Sequence, residues 1–437
     1  MLKKYINNTS WLFIEKIFRI LTTLLTTVLM ARYLGPNDFG LLNYAISFVT
    51  LFAVLSSLGF EKLLPKLIID NKENTNIILG SSFLLKIIGS ILIMIICYLS
   101  IIVFKGNEQI LISLVIILSF TFIFKSFEII RFWFETNVEA KYSAKVEFIA
   151  IMLSTIIKLL LIFKSANLIY FAYAILIESM LIAIGLIIIY SLKDKSLKSW
   201  KISKKEIKNI LKDAWPLILA GALYTIYTKI DQIMIGELIG NSAVGIYAAA
   251  IKLSEGWFFI PSVLAISFFP AMLNARKKSY EIYIERTQNL LNIMALISIV
   301  VSILTLFIAN YLIYYTYGEE YKDAALILLI HIWGGIFVSM STISYRYFII
   351  EGLQKLSFYR GLTGLIINII LNFILIPKYG IEGAAYATVI SQICALYFFN
   401  FFNKKTRLMF FMQTKALILF GIFSTLKDIK KIRNKNV

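Results

Sequence analysis

Long apolar runs follow one another along the whole chain, separated by short polar joints, and this alternation leaves few folds open. A helix rises about 1.5 Å per residue, so roughly 20 apolar residues match a hydrocarbon layer about 30 Å thick. Runs near that length are read at 9–34, 41–64, 78–104, 110–133, 142–165, 167–192, 213–236, 243–275, 289–316, 324–350, 361–376 and 383–402. With 59% hydrophobic residues and a mean hydropathy of +0.81, the 437-residue chain lacks the polar surface that a water-soluble fold of this size requires. Open sheet edges would leave backbone groups unpaired in lipid, and the alternation of barrel strands is missing, so the runs are predicted to be helices. The expected class is an all-α integral membrane protein of about twelve transmembrane helices.

Only 16% of residues are charged, yet the net charge is +19, so the basic excess must gather in the joints and set orientation. Alternate joints carry Lys3, Lys4, Lys66, Lys72, Lys141, the run at 193–212, Arg276, Lys277, Lys278, Arg286, Lys355, Arg360 and the cluster at 404–407. The others hold Lys105, Lys164, Lys322 and Lys378, a ratio of roughly five to one that places both termini in the cytoplasm. A nucleic-acid partner is excluded, because no soluble module remains to read one. The start, "MLKKYINNTSWLF", lacks a small-residue cleavage signature and reads as a retained first span. A further apolar stretch at 408–426, ahead of Lys427, Lys430, Lys431, Arg433 and Lys435, reads as an interfacial helix with a basic tail.

The longest hydrophilic stretch, "SLKDKSLKSWKISKKEIKNILKDAW", bisects the chain. The expected organisation is an N-terminal lobe at 1–192, a basic cytoplasmic linker at 193–212, a C-terminal lobe at 213–403 and a basic cytoplasmic tail at 404–437. Six spans on each side make a parallel repeat, two lobes related by a pseudo-two-fold along the membrane normal around a central cavity. Internal echoes agree: "LGPNDFGL" at 34–41 matches "IGNSAVGI" at 239–246, and Pro65 meets Pro270 at the same offset. Glycine accepts positive φ and proline fixes φ, so Gly35, Pro36, Gly40, Gly240 and Gly245 mark the expected gating turns.

Charges inside the spans are expensive and should face a cavity or one another. Glu15, Arg19, Thr22 and Thr26 recur at helical spacing and share one face, where Glu15 and Arg19 either pair or leave Arg19 for a ligand. Tyr224, Tyr227, Thr228 and Asp231 repeat the pattern in the seventh span, with Lys229 on another face. Lys252 and Glu255 are expected to pair with each other or with Asp231. Lys125, Glu128 and Arg131 form a ladder near a cytoplasmic end, consistent with snorkelling. Lys158 and Glu178 stand alone in their spans and are the more suggestive for it. His331 reads as a hydrogen-bonded core residue. Cys97 and Cys394 fall in different halves and read as small hydrophobes, with no metal spacing and no cofactor motif.

The motifs "NTSWLFIEKIFRI", "ARYLGPNDFGLLNYAISF", "AWPLILAGALYTIYTKIDQIMIG" and "VGIYAAAIKLSEGWFFIPSVLAISFFP" together resemble the polysaccharide transporter family of lipid-linked oligosaccharide flippases. That family sits in the superfamily of multidrug and toxic compound extrusion transporters. The resemblance implies a non-enzymatic bacterial inner-membrane protein that alternates between inward-open and outward-open states. Its implied cargo is an undecaprenyl-pyrophosphate-linked repeat unit for a surface polysaccharide of O-antigen or capsule type. Membrane lipids, H+ or Na+ as coupling ion, and polymerase and chain-length partners are the expected company of a working monomer. Arg19, Lys158, Lys229 and Lys252 offer cations for pyrophosphate, and Tyr224 and Tyr227 offer faces for sugars. Glu15, Glu178, Asp231 and Glu255 are the groups expected in ion coupling or structural pairing. A cation-coupled multidrug exporter and a membrane-embedded polymerase or ligase are the alternatives.

Overall fold

The computed structural model describes residues 2–418, with side chains from Glu15 onward. All regular elements in that range are helical, and the chain divides into two compact units at Ile233 and Met234. Nine stretches among the described residues are long and apolar enough to cross a membrane.

The first unit comprises α1 (Leu2–Phe52), α2 (Val54–Ser57), α3 (Phe60–Asp70), α4 (Thr75–Lys105), α5 (Gln109–Lys125), α6 (Glu128–Thr136), α7 (Lys141–Phe163), α8 (Leu168–Ser191) and most of α9 (Lys204–Leu238). Within α1 one residue leaves helical geometry, Gly35 at φ 70° and ψ 171°, a region open essentially to glycine alone. Pro36 then restarts the helix at the position where its missing N–H costs nothing. The expected turn is thus a one-residue kink, with 36–40 already helical. Gly240, at φ 128° and ψ 179°, makes the matching break ahead of the next helix. Gly40 and Gly245, at matching positions of the two motifs, are both buried.

The basic segment after α8 is ordered against this unit. Lys201 N–H donates to the Asn76 carbonyl at 3.1 Å, Ser203 N–H to Ser81 Oγ at 3.1 Å, and Trp200 Nε1–H to the Tyr190 hydroxyl at 3.2 Å. A side chain on Gly80 would collide with the Lys201 carbonyl. Lysine is a good helix former, so α9 begins at Lys204 and runs through the basic stretch into the apolar one. Its Ile210 and Ala214 are fully buried in a core with Phe60, Leu64 and Ile129. The first unit therefore takes in the segment expected to link the lobes.

The second unit holds α10 (Asn241–Glu255), α11 (Phe259–Lys278), α12 (Tyr280–Thr316), α13 (Ala324–His331), α14 (Gly334–Ile350), α15 (Gln354–Ile393), α16 (Phe399–Phe402) and α17 (Arg407–Leu417). A π-helical turn, Cys394–Phe398, separates α15 from α16, and Gly380 interrupts α15 with φ 61°. Met272, Leu291, Met340, Ile343, Phe348 and Met409 form its core. His331 is 2% exposed, with Nδ1 2.8 Å from Ser254 Oγ, a core hydrogen bond as expected.

The described part of the 408–426 stretch is docked on its own unit. Gln288 Nε2 donates to the Met412 carbonyl at 2.9 Å, Asn400 Nδ2 donates to Gln413 Oε1 at 2.8 Å, and the Tyr397 and Thr414 hydroxyls lie 2.8 Å apart. Residues 419–426 and the basic tail through Lys435 lie outside the described residues, as do the side chains of Lys3 and Lys4.

Candidate functional site

α1 packs against α7. On α7, Ser143, Ala144, Ala150 and Ser154 are all buried at helical spacing. Glu147 lies on the same stripe and is 6% exposed. Arg19 reaches it with Nη2 and reaches Glu15 on its own helix with Nε at 2.7 Å. Both carboxylates are buried, whereas the Arg19 side chain is 37% exposed. Of the two readings of Arg19, the structure shows the pairing: the guanidinium is held by Glu15 and Glu147.

Glu147 also accepts from Arg131 Nη1 at 3.4 Å, and Arg131 Nε lies 3.6 Å from Glu135. One carboxylate thus bridges two guanidiniums from different helices. Alongside, Lys86 is 2% exposed, with its ammonium 3.2 Å from Glu128 and donating to the Lys125 carbonyl at 2.8 Å. The ladder of Glu128 and Arg131 is accordingly bound into interhelical pairs rather than held by snorkelling. Lys125 places its ammonium 4.9 Å from the Phe122 ring centroid. Thr26 turns its hydroxyl to the Thr22 carbonyl at 2.6 Å, which spends it on its own helix.

Sequence reasoning missed Glu147 and Lys86. The signal was present for the first: a carboxylate at the spacing of the Ser143, Ala144, Ala150 and Ser154 stripe has to face another helix.

Lys158 and Glu178 do not stand alone. Their side chains are 2.9 Å apart, and Ser154 Oγ donates to the same carboxylate oxygen at 2.5 Å. Adjacent antiparallel helices bring the two together across the α7–α8 hairpin, which no periodicity within either helix reveals. Lys158→Met is expected to lower stability by about 1 to 3 kcal/mol, since it strands a half-buried carboxylate. The double change with Glu178→Leu should restore it. Thermal unfolding in detergent measures both, and unchanged stability with lost transport would instead assign Lys158 to the cargo.

The remaining sequence candidates are spread more widely. On α9, Tyr224 is 71% exposed and Asp231 is 6% exposed, with Tyr227 and Lys229 between these extremes. Gln232, next to Asp231, accepts from Ser47 Oγ at 2.5 Å and ties α9 to α1. Lys252 and Glu255 lie exposed on α10 of the second unit. These six sit on α9 and α10, whereas the charge network around Arg19 is built on α1, α6 and α7.

Comparison with known proteins gives this arrangement a context. The family model described as polysaccharide biosynthesis protein matches residues 5–273, and the MatE model matches residues 216–374. The capsular polysaccharide biosynthesis protein CapF of Staphylococcus aureus is 25% identical over 414 residues, covering 92% of this chain and 99% of that protein. The probable flippase AglR of Haloferax volcanii is 24% identical over 254 residues, 55% of this chain and 50% of its own. Among solved structures, the lipid II flippase MurJ in an inward closed conformation superposes with a TM-score of 0.70 at 22% identity, covering 94% of this chain and 92% of its own. An inward-facing multidrug resistance MATE transporter gives 0.70 at 15% identity over 92% of this chain and 95% of its own. The fold is that of these multi-pass helical transporters.

Proposed function

Because the chain belongs to the polysaccharide biosynthesis protein family, we propose that it is a flippase for a lipid-linked oligosaccharide, most specifically an undecaprenyl-pyrophosphate-linked repeat unit of a surface polysaccharide. The observation that carries this reading is the likeness to CapF along nearly the whole of both chains. With Glu15–Phe52 and Gln354–Phe402 each divided at its glycine, and α9 added, we read the nine apolar stretches as twelve spans. Both termini then face the cytoplasm of a bacterial inner membrane, as the loop charges favour.

The network in the first unit suits this cargo. Arg19 is held in place by two buried carboxylates, its side chain is 37% exposed, and a guanidinium can grip phosphate oxygens. A pyrophosphate arriving there competes with Glu147, which has Arg131 as a second partner to fall back on. Exchange of partners at Glu147 would couple cargo binding to the packing of α1, α6 and α7. Coupling to H+ or Na+ through Asp231 or the Lys158 and Glu178 pair belongs to the same proposal, with alternating access as its cycle.

The MatE match over residues 216–374 favours a second reading, a cation-coupled multidrug exporter. Deleting the gene and following lipid-linked intermediates by mass spectrometry separates the two. A flippase is expected to leave its undecaprenyl-linked repeat unit accumulated and the surface polymer missing. Normal surface glycan with raised drug sensitivity would transfer the assignment to the exporter.

A further inference from the structure

α12 is longer than a bilayer needs. Its 37 residues rise roughly 55 Å, so it clears a hydrocarbon layer about 30 Å thick with several turns to spare. It starts beside the basic run Arg276, Lys277 and Lys278, and its far end runs into a joint holding Glu319, Glu320 and Asp323 against one lysine, Lys322. With the orientation proposed above, that end lies outside the cell. There Asn310 and Tyr314, and likewise Tyr311 and Tyr315, are four residues apart and share one side of the helix. Gly318, at φ 94° and ψ 178°, then turns the chain back through a conformation open essentially to glycine alone. On either side of this turn Tyr317 and Tyr321 are buried, with ring centroids 5.4 Å apart, and they hold the joint in place.

The result is an open concavity of about 390 Å³ walled by Asn310, Tyr311, Tyr314, Tyr315, Glu319 and Lys322. Small-molecule sites commonly run from about 300 to 1,000 Å³. All three of these tyrosines are more than half exposed, and the rings of Tyr314 and Tyr315 stand edge to face, 5.4 Å apart at 81°. Glu319 and Lys322 are exposed as well. We propose that this concavity binds a saccharide. Aromatic faces carry partial negative charge and receive the C–H face of a sugar ring, while a carboxylate accepts from its hydroxyls, an ammonium donates to them and an amide does both. The two charges select among ligands. An organic cation would meet Lys322 and a phosphate would meet Glu319, so a neutral polyhydroxylated ring is the class that suits every wall. Tyrosines that only anchor a helix in the headgroup layer need no hollow. Here three of them share one with an acid, a base and an amide.

Position gives the site a role. On the outer side it meets glycan that has already crossed, a role that rests on the flippase reading although the binding itself does not. A saccharide held there is favoured over the same saccharide on the inner side, which biases transfer outward by the difference in affinity. An open hollow with exposed rings binds weakly, as release of the cargo requires.

The full chain in phosphatidylcholine nanodiscs, free of sugar-headed detergent, is tested by saturation-transfer NMR with three probes: methyl β-D-glucopyranoside, methyl N-acetyl-β-D-glucosaminide, and oligosaccharides released by mild acid from the surface polymer of the producing strain. At least one is expected to bind. Tyr311→Ala, Tyr314→Ala and Glu319→Gln should each weaken it about fivefold or more, while Tyr311→Phe retains most of the binding. Tyr170→Ala, which removes an exposed tyrosine near the start of α8 in the first unit, should leave it unchanged. All these positions are exposed, so every variant should elute as the parent does on size exclusion. Failure of all three probes, equal weakening by Tyr170→Ala, or preference of the same residues for tetraphenylphosphonium overturns the site. Lipid-linked intermediates in the deletion strain are read separately. Their accumulation without saccharide binding would remove this site and keep the flippase, whereas saccharide binding without accumulation would keep the site and remove the flippase.

Discussion

Arg19→Ala is expected to remove most of the protein from the membrane and, with it, surface glycan export. Two buried carboxylates depend on that guanidinium, Glu15 at 8% exposure and Glu147 at 6%. Taking one partner from a buried pair costs about 3 to 5 kcal/mol. Total stability is commonly only about 5 to 15 kcal/mol, so the loss is severe. Glu147 keeps Arg131 at 3.4 Å, but Glu15 has no second ion pair among the described residues. Neutralising Glu15 alone should therefore not rescue Arg19→Ala fully, whereas the triple change Glu15→Gln, Arg19→Ala and Glu147→Gln should return protein to the membrane fraction. Export by that triple variant then isolates the cargo question. Full export would make Arg19 a structural tie only, while normal abundance without export would leave the guanidinium as a cargo contact. Arg19→Lys keeps the charge and loses the planar fork, and partial export is the expected result.

Lys86→Met should also destabilise the fold, for a different reason. Lys86 is 2% exposed, and its ammonium is divided between Glu128 and the Lys125 carbonyl. Methionine fills the same volume but strands Glu128, whose side chain is 31% exposed, at an expected cost of about 1 to 3 kcal/mol. Replacing both partners with Met should recover much of it, because a buried ion pair exchanged for apolar groups of similar size is often close to neutral. Thermal unfolding of the parent, both single variants and the double variant yields the coupling energy. Strict additivity would show that the contact between Lys86 and Glu128 carries no stability.

The limits of sequence reading are physical. Span positions are legible because burial in lipid demands length and apolarity, and both are written locally. The Glu15 and Arg19 pair is legible because four residues of separation is a fixed geometry in a helix. Glu147, Lys86 and the pairing of Lys158 with Glu178 depend on how one helix is rotated against another. That rotation is not written in either helix's own spacing: Ser143 and Ala150 mark a buried face of α7 without saying which helix covers it. The start of α9 falls earlier than the sequence suggests because lysines read as a joint, while they propagate a helix well once Ile210 and Ala214 find a core. The same habit hides Arg360, which reads as a loop charge from its sequence neighbourhood and proves to be buried.

The difference between the near partner of Arg19 and its distant one bears on how the chain enters the bilayer during synthesis. The ribosome delivers α1 long before α7, so for that interval Arg19 has Glu15 and nothing else. A pair within one helix needs no neighbour, and it lets the first segment partition as a nearly neutral unit despite two charges that are each costly on insertion. Glu147 emerges later and finds a guanidinium already at depth. Lys86, on α4, has no such companion and must wait for Glu128, which makes α4 to α6 the stretch most dependent on being released into lipid together.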